Sequence, residues 1–242
     1  MKLNGKNAIV TGGDRGIGRA ISLALGKRGV NVAINFYKDE DKARETVKKI
    51  EEFGVRSLKA QADIRDFDQV KSMIERVKKR FGGIDILVNN AGISGRNPTI
   101  GNIDVEEWKN VIDVNLTGAF NCCKAAEPEL RKNNGKIVNI SSIAGKMGGT
   151  LGCHYAASKA GIIGLTFALA SELAPQVTVN TVAPGPVDTE LMSPETKKRL
   201  SAKTPFGRIA RPEEIAHTVI YLLENDYVSG EVIDVNAGRY MD

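Results

Sequence analysis

The sequence predicts a single doubly wound α/β domain, with a mostly parallel, seven-stranded sheet and helices on both faces. Three observations predict it. Short β-branched apolar runs alternate with longer amphipathic stretches along the whole chain, the pattern of strands joined by crossover helices. The apolar runs are continuous rather than alternating, as in Ala8-Ile9-Val10 and Ile86-Leu87-Val88, which suits strands buried on both sides. The first run leads directly into a glycine-rich turn that opens a helical pattern, as in Rossmann domains. The 242 residues fit one large domain, and 42% hydrophobic with 26% charged residues is ordinary for a globular chain.

The elements follow in order. Strands are predicted at residues 7–11, 31–35, 56–62, 84–89, 136–141, 177–182 and 232–235, each a compact apolar run. Helices are predicted at 16–28, 41–53, 67–81, 105–130, 155–173 and 212–223, where apolar residues recur at helical spacing. Gly29, Gly54, Gly82-Gly83 and Asn133-Asn134-Gly135 punctuate them. No repeat, low-complexity linker or composition shift divides the chain, so one domain over 1–242 is the economical reading. The segment 184–207 breaks the rhythm: it carries Pro184, Pro186, Pro194 and Pro205 and reads as a long irregular substrate loop. It follows the sixth strand, at the sheet end where ligands bind in open α/β folds.

Composition excludes several classes. The net charge of +5 comes from basic residues dispersed among acids, as in KKIEEF (48–53) and ERVKKRFGGID (75–85). These are solvated helix faces, not a nucleic-acid surface with interleaved aromatics. No window reaches the roughly 18 apolar residues of a membrane span, and the N-terminal apolar run is too short for a secretory signal. A cytoplasmic protein with reduced thiols is expected. Cys122, Cys123 and Cys153 offer neither a disulfide framework nor metal-ligand spacing, and the lone His154 and His217 make no zinc site. No metal is expected. The sequons at Asn115 and Asn139 are read as chance matches without a signal peptide.

The turn Thr11-Gly12-Gly13-Asp14-Arg15-Gly16-Ile17-Gly18 lies between the first strand and the first helix. Glycines there let the backbone approach a pyrophosphate, and the helix N-terminus offers free N–H groups with a partial positive charge. The spacing is Gly-x-x-x-Gly-x-Gly. With it come Asp63-Ile64 after the third strand, Asn89-Asn90-Ala91-Gly92 at the end of the fourth and Pro184-Gly185 after the sixth. In these ordered motifs, spanning the whole chain, the sequence resembles the short-chain dehydrogenase/reductase family.

The resemblance implies a nicotinamide cofactor held by Gly12, Asp14, Arg15, Gly16, Ile17 and Gly18 of the glycine loop. It adds Asn35, Phe36 and Tyr37 at the second-strand tip, and Asp63 and Ile64 beside the adenine. Asn89, Ala91 and Gly92 follow the fourth strand. Tyr155, Lys159, Pro184, Gly185, Val187 and Thr189 complete the nicotinamide side. An acid at the second-strand tip would bind a ribose 2′-hydroxyl and repel a 2′-phosphate. The tip here reads Ile34-Asn35-Phe36-Tyr37-Lys38, and Asp39 is placed to cap the next helix. Arg15 can hold a phosphate by charge-assisted hydrogen bonds. NADP(H) is therefore favoured, with NAD(H) the alternative.

Tyr155 and Lys159 stand four apart in a helical pattern, so both project from one face. Asn115 is a polar residue inside an otherwise apolar helical stretch. Ser142, read as ending the fifth strand thirteen residues before Tyr155, is chosen over Ser141 by the family spacing. Hydride addition to a carbonyl builds negative charge on oxygen, which must receive a proton. A free tyrosine, with a pKa of about 10, gives its proton up reluctantly, and a nearby ammonium favours its release. Tyr155 is therefore read as general acid in reduction and base in oxidation, with Ser142 hydrogen-bonding the substrate oxygen. By the resemblance, Lys159 also binds the nicotinamide ribose and Asn115 holds a water that links Lys159 to solvent. His154 is a candidate for the substrate pocket.

Within the family the chain is most similar to the 3-oxoacyl-[acyl-carrier-protein] reductases, in length, in SSIAG (141–145), in YAASKAG (155–161) and in its C-terminal SGEVIDVNAGRYMD. That implies NADPH-dependent reduction of a 3-oxoacyl thioester, a place in fatty acid biosynthesis, and a homotetramer built through the two long helices and the C-terminus. Such reductases dock an acidic carrier through arginines near the ends of the helices before the fifth and sixth strands. This chain has Asn133 at the first place and Leu173-Ala174-Pro175-Gln176-Val177, without a cation, at the second. Carrier-protein and coenzyme A thioesters both stay open. So do the alternatives of a sugar, polyol or other secondary-alcohol dehydrogenase and, more remotely, a non-catalytic dinucleotide-binding protein.

Overall fold

A computed structural model describes residues 1–96, 98–149, 151–190 and 192–241. Seven strands form one all-parallel sheet: β1 (Asn7–Val10), β2 (Asn31–Phe36), β3 (Ser57–Gln61), β4 (Ile86–Asn89), β5 (Lys136–Ile140), β6 (Thr178–Pro184) and β7 (Val232–Val235). Their order is β3-β2-β1-β4-β5-β6-β7. The order in which the strands are added reverses between β1 and β4, which pair in parallel with Val10 beside Val88. A crevice opens at the carboxyl ends of strands at such a switch point.

Helices α1 (Gly16–Gly26), α2 (Glu40–Glu51) and α3 (Phe67–Phe81) connect the first four strands. After β4 the chain passes through a 3₁₀ turn (Ile100–Asn102) into α4 (Val105–Ile112), a π-helical stretch (Asp113–Thr117) and α5 (Gly118–Lys132). Then come α6 (Ala144–Met147) and α7 (Cys153–Glu172) between β5 and β6, and α8 (Pro194–Ala202) and α9 (Pro212–Glu224) between β6 and β7. Alternate strand residues face opposite layers, as a period of two requires. Ala8, Val10, Ile34 and Val88 pack with Ile21 and Leu25 of α1 and Val219 and Leu223 of α9. Ile9, Ala33 and Leu87 pack with Met73 and Val77 of α3 and Cys122 and Leu130 of α5.

The structure corrects three expectations. The segment 184–207 is not irregular throughout. It contains α8, whose N-cap Ser193 accepts a hydrogen bond from the Thr196 N–H and whose first residue is Pro194; Leu191 within the segment lies outside the described residues. The single helix predicted over 105–130 is two α-helices joined by the π-helical stretch. Ser142 does not end a strand: β5 stops at Ile140, and Ser142 lies in the turn that leads into α6. Among the described residues no helix is long and apolar enough to cross a membrane.

Candidate active site

The carboxyl ends of β4, β5 and β6 border a cleft of about 1260 Å³. Ser142, Tyr155 and Lys159 line it together, as do Arg15 and Ile17 of the glycine loop, Gly92, and Pro184, Gly185, Val187 and Thr189 after β6. The helical spacing of Tyr155 and Lys159 near the start of α7 sets the lysine Nζ 5.8 Å from the centre of the tyrosine ring. Lys159 is buried, and its Nζ donates to the Ile140 carbonyl at 2.8 Å. Burial without a carboxylate partner pulls its pKa down to about 8. Burial pushes the Tyr155 phenol up, and the Ser142 side chain facing it opposes that rise.

The two adjacent serines have different duties. Ser141 is buried and spends its hydroxyl on the Lys159 carbonyl at 2.7 Å, tying β5 to α7. The Ser142 oxygen accepts from the Ala144 N–H at 3.1 Å, which leaves its own proton free to donate. Asn115 is buried in the π-helical stretch. Its Oδ1 accepts from the Ile93 N–H at 2.8 Å, and its Nδ2 donates to the Ile93 carbonyl at 2.9 Å and to Ser158 Oγ at 3.0 Å. Ser158 in turn donates to the Tyr155 carbonyl at 2.7 Å. Asn115 thus clamps the loop after β4 to α7. A Cβ on Gly92 would lie 3.1 Å from Asn115 Oδ1 and 3.4 Å from Lys159 Nζ, so the glycine sits between them.

The glycine loop has the form a dinucleotide pyrophosphate requires. Gly12 and Gly16 adopt φ of +57° and +52°, and a Cβ on Gly18 would fall 2.1 Å from the Gly12 carbonyl oxygen. Only glycine allows these conformations and this approach without strain. Arg15 stands at the N-cap of α1, and its side chain makes no capping bond. The first-turn N–H groups are left to an anion. Asn90, which the sequence reading did not single out, holds the loop by donating to the Thr11 and Gly12 carbonyls at 3.0 Å each.

Other expected cofactor residues have their side chains engaged in the protein. Asn35 donates to the Ala60 and Ala62 carbonyls, Asn89 donates to Asn139, and Phe36 and Ile64 lie in the core. The Asp14 side chain is buried, which raises its carboxyl pKa. Asp63 is paired with Arg65, whose hydrogen bonds hold the Asp63 pKa below the usual range. Arg65 also lies over the ring of Tyr37. Ala91 packs against Gly12. Arg65 lines the cleft and was missed from sequence, since its isolated cation carries no motif. The structure overturns the pocket role expected for His154. That ring is fully buried behind the cleft wall: its Nδ1 accepts from the Tyr155 N–H, and its Nε2 faces Glu107 at 3.5 Å. Among the described residues no cluster of His, Cys, Asp or Glu could hold a metal.

A parallel Rossmann sheet, a glycine loop and a Ser-Tyr-Lys cleft define a dinucleotide-dependent oxidoreductase, and the chain belongs to the short chain dehydrogenase family, whose model matches residues 6–200. It is 44% identical to the 3-oxoacyl-[acyl-carrier-protein] reductase FabG of Staphylococcus aureus strain Mu50, with both chains covered completely. It is 39% identical to FabG of Vibrio cholerae, again over the whole of both, and 38% identical to the corresponding reductase of Synechocystis over 99% of this chain and 98% of that one. A crystal structure from Burkholderia xenovorans, assigned to the short-chain dehydrogenases/reductases, superposes with a TM-score of 0.90 at 32% identity, covering 95% of this chain and 96% of that one.

Proposed function

We propose that the protein reduces a 3-oxoacyl thioester to the 3-hydroxyacyl thioester with NADPH. The observation that carries this reading is the placement of Ser142, Tyr155 and Lys159 on one cleft with the uncapped N-terminus of α1. When bound, the nicotinamide supplies the hydride. The first-turn N–H groups of α1 hold the pyrophosphate, and Lys159 contributes to the ribose. Arg15 makes no ion pair among the described residues, although the charges of Asp14 and Glu190 act on it, and Asp39, the first acid beyond β2, is spent capping α2 through the Lys42 N–H. Both features favour a cofactor with a 2′-phosphate over NAD(H).

The protein's own residues manage the proton. Ser142 donates to the substrate carbonyl and orients it. Tyr155 holds its proton at neutral pH, as any tyrosine does, burial raising its pKa further, and releases it to the oxygen as negative charge develops there. The Lys159 ammonium stabilises the resulting phenolate. With the Asn115 amide committed to Ile93 and Ser158, a relay water would meet its main-chain carbonyl.

The full-length likeness to 3-oxoacyl-[acyl-carrier-protein] reductases supports the thioester and a place in cytoplasmic fatty acid biosynthesis. Asn133 is used internally, donating to the Ile84 carbonyl, while Arg131 is bound by Glu127, Gln176 and the Glu172 carbonyl. Lys132 between them is exposed and makes no ion pair among the described residues, so carrier-protein and coenzyme A thioesters are both proposed substrates. A homotetramer is proposed through α4, α5 and α7, which expose Trp108, Phe120 and Phe167.

The reading is tested by following NADPH and NADH oxidation with acetoacetyl-CoA. NADPH should be oxidised far faster. Replacing Tyr155 with Phe should lower kcat by about 10²–10⁴-fold while NADPH still binds. Turnover surviving in Tyr155→Phe would refute the assignment of the proton donor.

A further inference from the structure

Arg239 lines the same cleft from the turn that follows β7. That turn is fixed in place. The Arg239 N–H donates to the Asn236 carbonyl at 3.2 Å, and Asn236 Nδ2 donates to the Tyr240 carbonyl at 3.0 Å. Asn236 also packs so closely on Gly185 that a Cβ there would lie 3.0 Å from its Cα. The guanidinium is therefore brought to the β6 side of the cleft, beside the Pro184-Gly185 turn. One of its nitrogens, Nη1, is buried without a hydrogen-bond partner among the described residues. Asp234 of β7 pairs through Oδ2 with Lys146 at 2.6 Å and makes no ion pair with Arg239.

The Arg239 side chain has no hydrogen bond or ion pair among the described residues, and a cleft-lining guanidinium without a protein acceptor leaves its remaining donors to a ligand. No acid of the cleft fills that place. Asp104 caps α4 through the Glu107 N–H, Glu106 pairs with Lys109, Glu107 faces His154 and accepts from the Arg96 N–H, and Asp113 accepts from Thr117 Oγ1. Two further arginines line the cleft, Arg96 after β4 and Arg199 on α8, and neither has an acidic partner among the described residues. Arg96, Arg199 and Arg239 thus border the cleft without ion-pair partners among the described residues, and guanidinium geometry matches phosphate and carboxylate oxygens.

We infer that Arg239 recognises an oxyanion on the substrate, a phosphate or a carboxylate, and selects anionic carbonyl substrates over neutral ones. The inference rests on the reading of this cleft as a carbonyl-reducing site. It is tested with the full-length protein and saturating NADPH on three probes: acetoacetyl-CoA, acetoacetyl-N-acetylcysteamine (the same thioester without phosphate) and acetoacetate. Arg239→Met should raise KM for acetoacetyl-CoA at least about tenfold, leaving kcat/KM for the neutral thioester within about twofold. Arg239→Lys should fall between. Added salt should raise KM for acetoacetyl-CoA in the native enzyme more than in Arg239→Met. A matching loss on acetoacetate assigns a carboxylate, and a loss confined to acetoacetyl-CoA assigns a phosphate. Equal losses on both thioesters would overturn the inference and leave the reductase reading intact. So would unchanged kinetics with an altered oligomeric state, since the guanidinium would then serve a subunit contact. Turnover of none of the three probes by the native enzyme would overturn both.

Discussion

Lys159 connects the chemistry of the cleft to solution pH. Its ammonium is desolvated, so its folded pKa lies at about 8 rather than at the ordinary lysine value. The charge that stabilises the Tyr155 phenolate is present below that pKa and lost above it. The Tyr155 pKa moves the opposite way, so the donor stays protonated over the same interval. Reduction measured as kcat/KM reports groups of the free enzyme and should decline as pH rises through about 8. A flat profile to about pH 10 would show that Lys159 remains charged in the buried site. At this scale the sequence was informative where chemistry demands a spacing. The four-residue interval of Tyr155 and Lys159 survives folding because α7 imposes it. The choice of Ser142 over Ser141 needed the family spacing, and its physical reason is tertiary: Ser141 is consumed by the Lys159 carbonyl. His154 misled because adjacency to Tyr155 along a helix places the two side chains in different directions.

Each secondary-structure element near the cleft carries a local constraint that can be broken singly. In α1 the tightest is Gly18, whose missing Cβ admits the Gly12 carbonyl oxygen. Gly18→Ala must displace the loop backbone, an overpacking that costs about 1–3 kcal/mol. It should weaken NADPH binding by at least about tenfold, read by fluorescence titration. Unaltered affinity would show that the loop accommodates the methyl group. Strand and helix order was legible because burial on both faces writes continuous apolar runs. The helix at 194–202 was not read, although its signal is present: Ser193 followed by Pro194 is an N-cap with proline at the first position. Four prolines in one segment read as breakers, whereas one of them starts a helix. The π-helical stretch around Asn115 has no comparable local signal, since it lies where packing changes partners, from α4 against α7 to α5 against α3.

For the molecule as a whole, α7 is apolar around much of its circumference, yet packs on the sheet on only one side. Ala157, Ala160, Gly164, Phe167 and Ala168 remain exposed along a single stripe, with Phe120 and Trp108 exposed on the neighbouring α5 and α4. Patches of this kind mark association surfaces. Light scattering should give the mass of four chains, and Phe167→Glu should yield smaller species by burying a charge in the contact. A native monomer would remove the tetramer from the account. By contrast, α8 buries none of its residues, although Thr196, Arg199 and Leu200 on it border the cleft. Nothing in the core depends on its sequence. Changes in substrate preference can therefore accumulate on α8 at little expense to folding, an evolutionary latitude that the glycine loop, closed to a single methyl group, does not have.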